Sequence, residues 1–239
     1  MQTKSLLALT ALTLAALAVL IGLGVWQVQR LHWKEGLIAD IEARTKAAPI
    51  TLAEAVAIAK GGRDPSYYRV TVAGRFDHAK ELYLYAVSEG RAGWHVITPL
   101  KTEDGAVVLV DRGFVPEALR DPASRPKGEL GGVVTVTGIV HVPEAQGAFT
   151  PDSEVGANRW FWRDLHAMAR AAGTEVAPFF LDAEKSEIPG GWPEGGQTRL
   201  ELPNNHLQYA ITWFLLAAAL LLVYAIFLRS AFRPRTPLG

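Results

Sequence analysis

Near the end of the chain, "PNNHLQYAITWFLLAAAL" (residues 203–220) sets two asparagines and a histidine directly against an apolar run. Pro203 and the asparagines mark a helix start, with Asn204 or Asn205 as the cap. His206 then falls in the first turn, where the positive end of the helix dipole works against a second proton on the ring. A neutral imidazole is the form that ligates a metal. Spacings of three and four carry the same helical face through Tyr209 or Ala210 to Trp213 and Ala217. A nitrogen donor above a groove of aromatic and small residues suits a porphyrin edge, with iron held axially by the histidine. Towards the other end of the chain Trp26, Arg30 and Lys34 recur every four residues, and Arg30 is placed to pair a propionate in the same interfacial layer. A second reading needs no ligand. Trp, Tyr, His, Arg and Lys form the ordinary belt at a bilayer boundary, and capping explains the asparagines. The residues alone leave both open.

Other chemistry is poorly served. The sequence has no G-x-S-x-G elbow, H-E-x-x-H, P-loop or G-x-G-x-x-G. Its six histidines (32, 78, 95, 141, 166 and 206) include no pair three or four apart, which argues against a zinc or di-iron site on one helix face. His78, in "RFDHAK", and His166, on a short helix, read most simply as solvent-facing. Asp111 and Arg112 in "VLVDRGFVP" have the types of a general acid and an anion anchor, but read more simply as a structural pair at a strand end. With no cysteine, disulfides, thiolate zinc sites and thiol nucleophiles are excluded. A hydrolase survives only as a remote option, and the expectation is a platform more than an enzyme.

The elements that must hold these residues begin with two uncharged runs, residues 6–26 and 207–228. About 20 apolar residues in a helix cross the roughly 30 Å hydrocarbon core. The first run exceeds the apolar core of a signal peptide and lacks a small-x-small cleavage pattern after it, so it reads as an uncleaved anchor. The expected divisions are a transmembrane helix at 5–28, a β-rich domain at 29–203, a second transmembrane helix at 204–229 and a basic tail at 230–239. Arg229, Arg233 and Arg235 behind the second run favour a cytoplasmic C-terminus, although Arg30 and Lys34 beyond the first pull the other way. A loop of that length crosses largely regardless of charge. The expectation is a two-pass protein of a bacterial inner membrane, with both termini cytoplasmic and the domain periplasmic. The apolar run follows a single lysine with no Arg- and Ser-rich leader, which argues against a mitochondrial transit peptide. Basic and acidic residues number 24 each, and the stretch between the runs is slightly acidic, which argues against nucleic acid as a partner.

Between the runs, Thr51 and Glu54 in "ITLAEAVAIA" form a capping-box pattern that opens a short helix, stopped by Gly61-Gly62. "YYRVTVAGRF", "ELYLYA", "WHVITPL", "AVVLVDRGFV" and "GVVTVTGIVHV" read as strands, followed by a helix in "FWRDLHAMARAAG" and a strand in "APFFLDAE". Close spacing predicts an antiparallel small barrel or sandwich with one or two short helices. The two tethers bring the apolar runs together, and Gly22, Gly24 and Ala217–Ala219 permit close approach.

With these blocks in view, the sequence resembles the surfeit locus protein family, membrane-anchored assembly factors of cytochrome c oxidase. The likeness rests on "LGVWQVQRLHWKEGLI" after the first run, on "YRVTVAGRF", "GWHVITPL" and "VLVDRGFVP", and on "NNHLQYAITWFLLA" at the second run, in the family's order. It implies a non-catalytic accessory that helps mature subunit I of a haem–copper oxidase. Bacterial members look like haem a carriers, standing between haem a synthase and that subunit, so both proteins and membrane lipid are the implied partners. The family's proposed haem ligand matches His206. The resemblance supplies no secure assignment for Arg30, Trp26 or Trp213, and these, with Tyr209, stay geometric inferences. The alternative is a cofactor-free scaffold that holds subunit I or the synthase through its outer domain.

Overall fold

The computed structural model describes residues 3–198, 200 and 202–232. In chain order its elements are α1 (Thr3–Lys46), β1 (Ile50–Thr51), α2 (Leu52–Lys60), β2 (Arg69–Phe76), β3 (Leu82–Ser88), β4 (Arg91–Lys101), β5 (Val107–Pro116), β6 (Val134–His141), β7 (Arg159–Trp160), α3 (Leu165–Ala172), β8 (Phe180–Ala183) and α4 (His206–Ala231). They fall into two compact units, Met1–Asp40 with Glu201–Gly239, and Ile41–Leu200.

In the first unit α1 and α4 are both long and apolar enough to cross a membrane. Shielded positions recur on α1 at Thr10, Thr13, Leu17, Leu20, Gly24 and Gln27, and on α4 at His206, Ala210, Trp213, Ala217, Leu220 and Tyr224. Alternating steps of three and four are the rhythm of a coiled-coil seam. The helices run antiparallel: Gln27 meets His206 at one end, Thr10 meets Tyr224 at the other, and Gly24 lies against Phe214 between them. A Cβ on Gly24 would stand 2.6 Å from the Phe214 ring, so this glycine does permit close approach, whereas Gly22 has nothing within 4 Å. Ala217 is buried, but Ala218 and Ala219 are exposed. Past residue 28, the expected end of the first transmembrane helix, α1 continues unbroken to Lys46. Leu31, Lys34 and Ile38 keep the rhythm of shielded positions, a signal that charged neighbours hide from any test for apolar runs. Residues 233–239 of the expected basic tail, with Arg233 and Arg235, lie outside the described residues.

The second unit is built on an eight-stranded sheet in the order β1-β2-β6-β8-β5-β4-β3-β7, with a further short pairing of β2 with β4. The expected antiparallel barrel or sandwich gives way to a mixed sheet that is no clear small barrel: β8 runs parallel to β5, β7 to β3 and β1 to β2. Hairpin spacing suggests antiparallel neighbours, but β8 is reached only after a connection through α3, and such crossovers allow parallel pairing. One core joins Leu52 and Ala55 of α2 to Val70, Val72, Leu100, Val108 and Val110. A second joins Leu165 and Met168 of α3 to Leu82, Leu84, Ile97, Leu109 and Phe180. Caps stand where the sequence puts them. Thr51 and Glu54 form a complete capping box, and Gly173 ends α3 in the left-handed conformation.

Within "VLVDRGFVP" the register of β5 on β4 shifts between His95 and Ile97, a bulge that Gly113 turns at φ 115°. A Cβ there would stand 2.0 Å from the Glu194 carbonyl oxygen, which is backbone and cannot swing aside. Gly113→Ala is therefore expected to destabilise this unit by roughly 3 kcal/mol, read as a lower denaturant midpoint with unchanged slope; an unaltered midpoint would refute the bulge geometry.

Candidate functional site

His206 opens α4 and is half-buried. Asn205 is the cap residue but makes no side-chain capping bond; Asn204 Oδ1 accepts from the His206 backbone N–H at 3.4 Å instead. Across the seam, His206 Nδ1 lies 2.7 Å from Oε1 of Gln27, a side chain only 9% exposed. A carboxamide oxygen can only accept, so this contact matches the tautomer that carries its proton on Nδ1 and has a lone pair on Nε2.

The other expected site residues divide. Trp213 lies in the seam and is half-buried, and Ala210 and Ala217 on the same face are buried, so α1 occupies much of the groove foreseen there. Tyr209 and Trp26 are exposed. At about 100° per residue, Arg30 and Tyr209 fall on the same flank of the antiparallel pair, each about 60° from the contact residue on its own helix. Trp26 stands on that flank but is turned about 100° from Gln27, further outward. The Arg30 guanidinium lies 3.8 Å above the Trp33 ring and, among the described residues, has no carboxylate partner. Sequence reasoning gave Gln27 no role, although a carboxamide one step beyond an apolar run was a visible signal.

The donor set here is one nitrogen. Among the described residues no three His, Cys, Asp or Glu side chains come together as a metal site. A bare ion needing four protein ligands is thus not served, whereas iron already held in a macrocycle asks the protein only for axial donors.

A second concentration of polar side chains lies in the sheet unit. His95, Asp111, Asp182 and His141 stand on β4, β5, β8 and β6, four successive strands. Asp111 and Asp182 are register partners, and Arg163 bridges them, donating to Asp111 Oδ2 at 2.7 Å and Asp182 Oδ1 at 2.9 Å. His95 Nδ1 is 2.9 Å from Asp111 and His141 Nδ1 is 3.2 Å from Asp182. Burial pushes the His95 imidazole down, but the charge and hydrogen bond of Asp111 outweigh it and the net direction is up. Burial likewise raises Asp111, and His95 and Arg163 more than reverse this, holding it well below the usual carboxylate range. A cleft of about 560 Å³ opens beside the row, lined by Ser88, Glu89, His95, His141, Arg163 and Thr198 among others.

Arg112 takes no part in that row. Neighbouring strand residues point to opposite faces, so Asp111 and Arg112 are not the pair the sequence suggested. Arg112 donates to Glu81 at 3.0 Å and to the Gly128 carbonyl, and Arg125 donates to the same buried Glu81. Burial pushes the Glu81 carboxyl up, but hydrogen bonds from His78 and Arg125 and the charges of Arg125 and Arg112 hold it at about 2. His78 belongs to this cluster, 3.3 Å from Glu81 and 3.1 Å from the Leu130 carbonyl, and is not solvent-facing as expected. His166 is exposed, as expected.

The fold and the helix-end histidine together define a class: a β-rich unit carried between two long apolar helices, with its ligand candidate at the start of the second. The chain belongs to the SURF1 family, which it matches over residues 14–218, a span that takes in both Gln27 and His206. It is 42% identical over 220 residues to surfeit locus protein 1 of Mus musculus, covering 84% of this chain and 70% of the mouse protein. The human protein of the same name is 43% identical over 217 residues, covering 83% and 70%. A SURF1-like protein of Monosiga brevicollis is 39% identical over 224 residues, covering 88% and 84%.

Two outcomes follow from the buried charges. Arg163→Met removes the guanidinium that Asp111 and Asp182 share, leaving only His95 and His141 beside them as ionic partners, and is expected to cost about 3–5 kcal/mol of unfolding free energy, measured by denaturant titration. Glu81 is held low in the fold and returns to its ordinary value of 4.5 on unfolding. It therefore stabilises above pH 4.5, and that contribution is lost as pH falls from 4.5 towards 2. A loss on the order of 3 kcal/mol over this window, absent in Glu81→Gln, is expected in unfolding curves taken at successive pH values.

Proposed function

We propose that this chain is a non-catalytic assembly factor for haem–copper cytochrome c oxidase that binds haem a through His206 and assists its delivery into subunit I. The observation that supports the ligand assignment is the place of His206 at the start of α4 with Gln27 Oε1 2.7 Å from Nδ1, a contact suited to the tautomer whose Nε2 is bare. Membership of the SURF1 family and the sequence resemblance support the oxidase context. Bound haem would supply an iron that accepts an imidazole nitrogen as axial ligand. His206 presents that nitrogen, Gln27 accepts the proton of the opposite ring nitrogen in a hydrogen bond, and Arg30 offers a guanidinium on the same flank for a propionate. Trp213, Tyr209 and Trp26 supply aromatic surface within the seam and beside it.

Membrane insertion belongs to the same proposal. Large apolar side chains such as Leu12, Leu215 and Val223 stand exposed on both helices, a surface suited to lipid. Arg229 closes α4, and with Arg233 and Arg235 behind it favours a cytoplasmic C-terminus. The sheet unit is then periplasmic in a bacterial inner membrane, facing subunit I and haem a synthase as partners.

The test is the absorption spectrum of the full-length protein purified from cells that make haem a. A haem band in the wild type that is lost in His206→Ala supports the reading. Unchanged haem content in His206→Ala refutes the ligand assignment. No band in either protein, with co-purification of an oxidase partner that survives the substitution, would favour the cofactor-free scaffold.

A further inference from the structure

The seam between α1 and α4 places one buried carboxamide against one ring nitrogen, and this contact carries a residue role that neither motif nor family membership supplies. We propose that Gln27 is the positioning residue of His206: its side-chain oxygen holds the proton on Nδ1 and thereby keeps Nε2 bare. The inference rests on the ligand reading above for its function, though not for its geometry.

Three observations support it. The contact is short, 2.7 Å, and joins residues 179 positions apart, so helix packing and not local chain geometry creates it. Gln27 occupies a seam position and is 9% exposed, with little water to compete for its oxygen. No other side chain is within hydrogen-bond distance of either ring nitrogen of His206 among the described residues. The tautomer of a neutral imidazole is set by the bond its other nitrogen makes. With the proton on Nε2, two lone pairs would face each other at 2.7 Å unless the amide turned over. A ring nitrogen that donates to an oxygen also makes the opposite nitrogen a better donor to iron, and partners of this kind orient the ring. A carboxamide does this more weakly than a carboxylate and more strongly than a hydrocarbon. That ranking predicts an order as well as a loss.

The experiment has two arms. In the first, full-length protein is labelled with 15N-histidine and prepared without haem in nanodiscs, and His206 is assigned by its disappearance in His206→Ala. The wild type is expected to show Nδ1 protonated and Nε2 bare, and Gln27→Leu a mixture or the opposite tautomer. A protonated Nε2 in the wild type, or an unchanged spectrum in Gln27→Leu, overturns the proposal. In the second arm, haem retention is expected to fall about 10- to 100-fold in Gln27→Leu and to be kept in Gln27→Glu. The reduction potential of the bound haem should then fall stepwise from Gln27→Leu through the wild type to Gln27→Glu, a readout that loss of packing alone would not order. Equal potentials in all three overturn it, and the Gln27→Glu variant keeps this test available if Gln27→Leu fails to fold. The two readings fail separately: an Nδ1–H tautomer with unchanged haem content in His206→Ala overturns the ligand and leaves the tautomer standing.

Discussion

Asp111 and Asp182 are register partners on neighbouring parallel strands, both nearly sealed from water, with the forked guanidinium of Arg163 between them. Two carboxylates so placed repel strongly in a low dielectric, and the arginine is what makes the central pairing of β5 with β8 tolerable. The same constraint, that a polar group taken out of water must find its partner in the protein, governs the rest of the chain. Glu81 is met by two arginines and a histidine. Tyr224 meets Thr10, and His206 meets Gln27. Among the described residues, Thr98 Oγ1 is the one buried side-chain atom left without a partner.

The four residues Asp111-Arg112-Gly113-Phe114 show how one short stretch serves several of these demands. Alternation along β5 sends Asp111 towards the face of Leu109 and Arg112 towards that of Val110. The bulge at Gly113 then lets Asp111 accept from both His95 and the Gly113 N–H. Phe114 resumes pairing by exchanging backbone hydrogen bonds with Glu194. Read as a string, the aspartate and arginine look like partners. In the sheet each belongs to a different network, because adjacency in a strand means separation in space.

What could be read in the sequence was local. The capping box of Thr51 and Glu54, the glycine stop at Gly173 and the β-branched strand runs depend on residues a few positions apart, and they stand where expected. The two apolar runs depend on composition alone. What was not legible depended on partners far along the chain: Arg163 with Asp111, Arg125 with Glu81, and the parallel placement of β8 beside β5. The length of α1 was hidden differently. Its shielded positions continue through Leu31, Lys34 and Ile38, but the exposed charges between them mask the helix to a hydropathy test. At the helix-end site, His206 stood out as a polar residue against an apolar run, whereas Gln27 passed as an ordinary member of "GVWQVQR". A hydrogen bond between helices has no signature until the register of the helices is known.

That register is itself decided by the polar contacts. Leucine and alanine along a seam of threes and fours are nearly interchangeable, so their packing alone tolerates sliding by a heptad and discriminates weakly between neighbouring registers. Two hydrogen bonds near opposite ends do not tolerate it. Gln27 with His206 and Thr10 with Tyr224 are separated by nearly the same length of helix on α1 and α4, and both are satisfied in one antiparallel register. A slide of one turn, about 5.4 Å, would break both at once and take their cross-seam partners from Gln27, His206 and Tyr224, while Thr10 keeps its bond to the Leu6 carbonyl. Gly24 reinforces the choice, since only a residue without a side chain can face the Phe214 ring at this distance. The imidazole is therefore fixed by more than its own bond: the far contact holds the register, the register brings Gln27 to Nδ1, and that bond favours the tautomer in which Nε2 is bare.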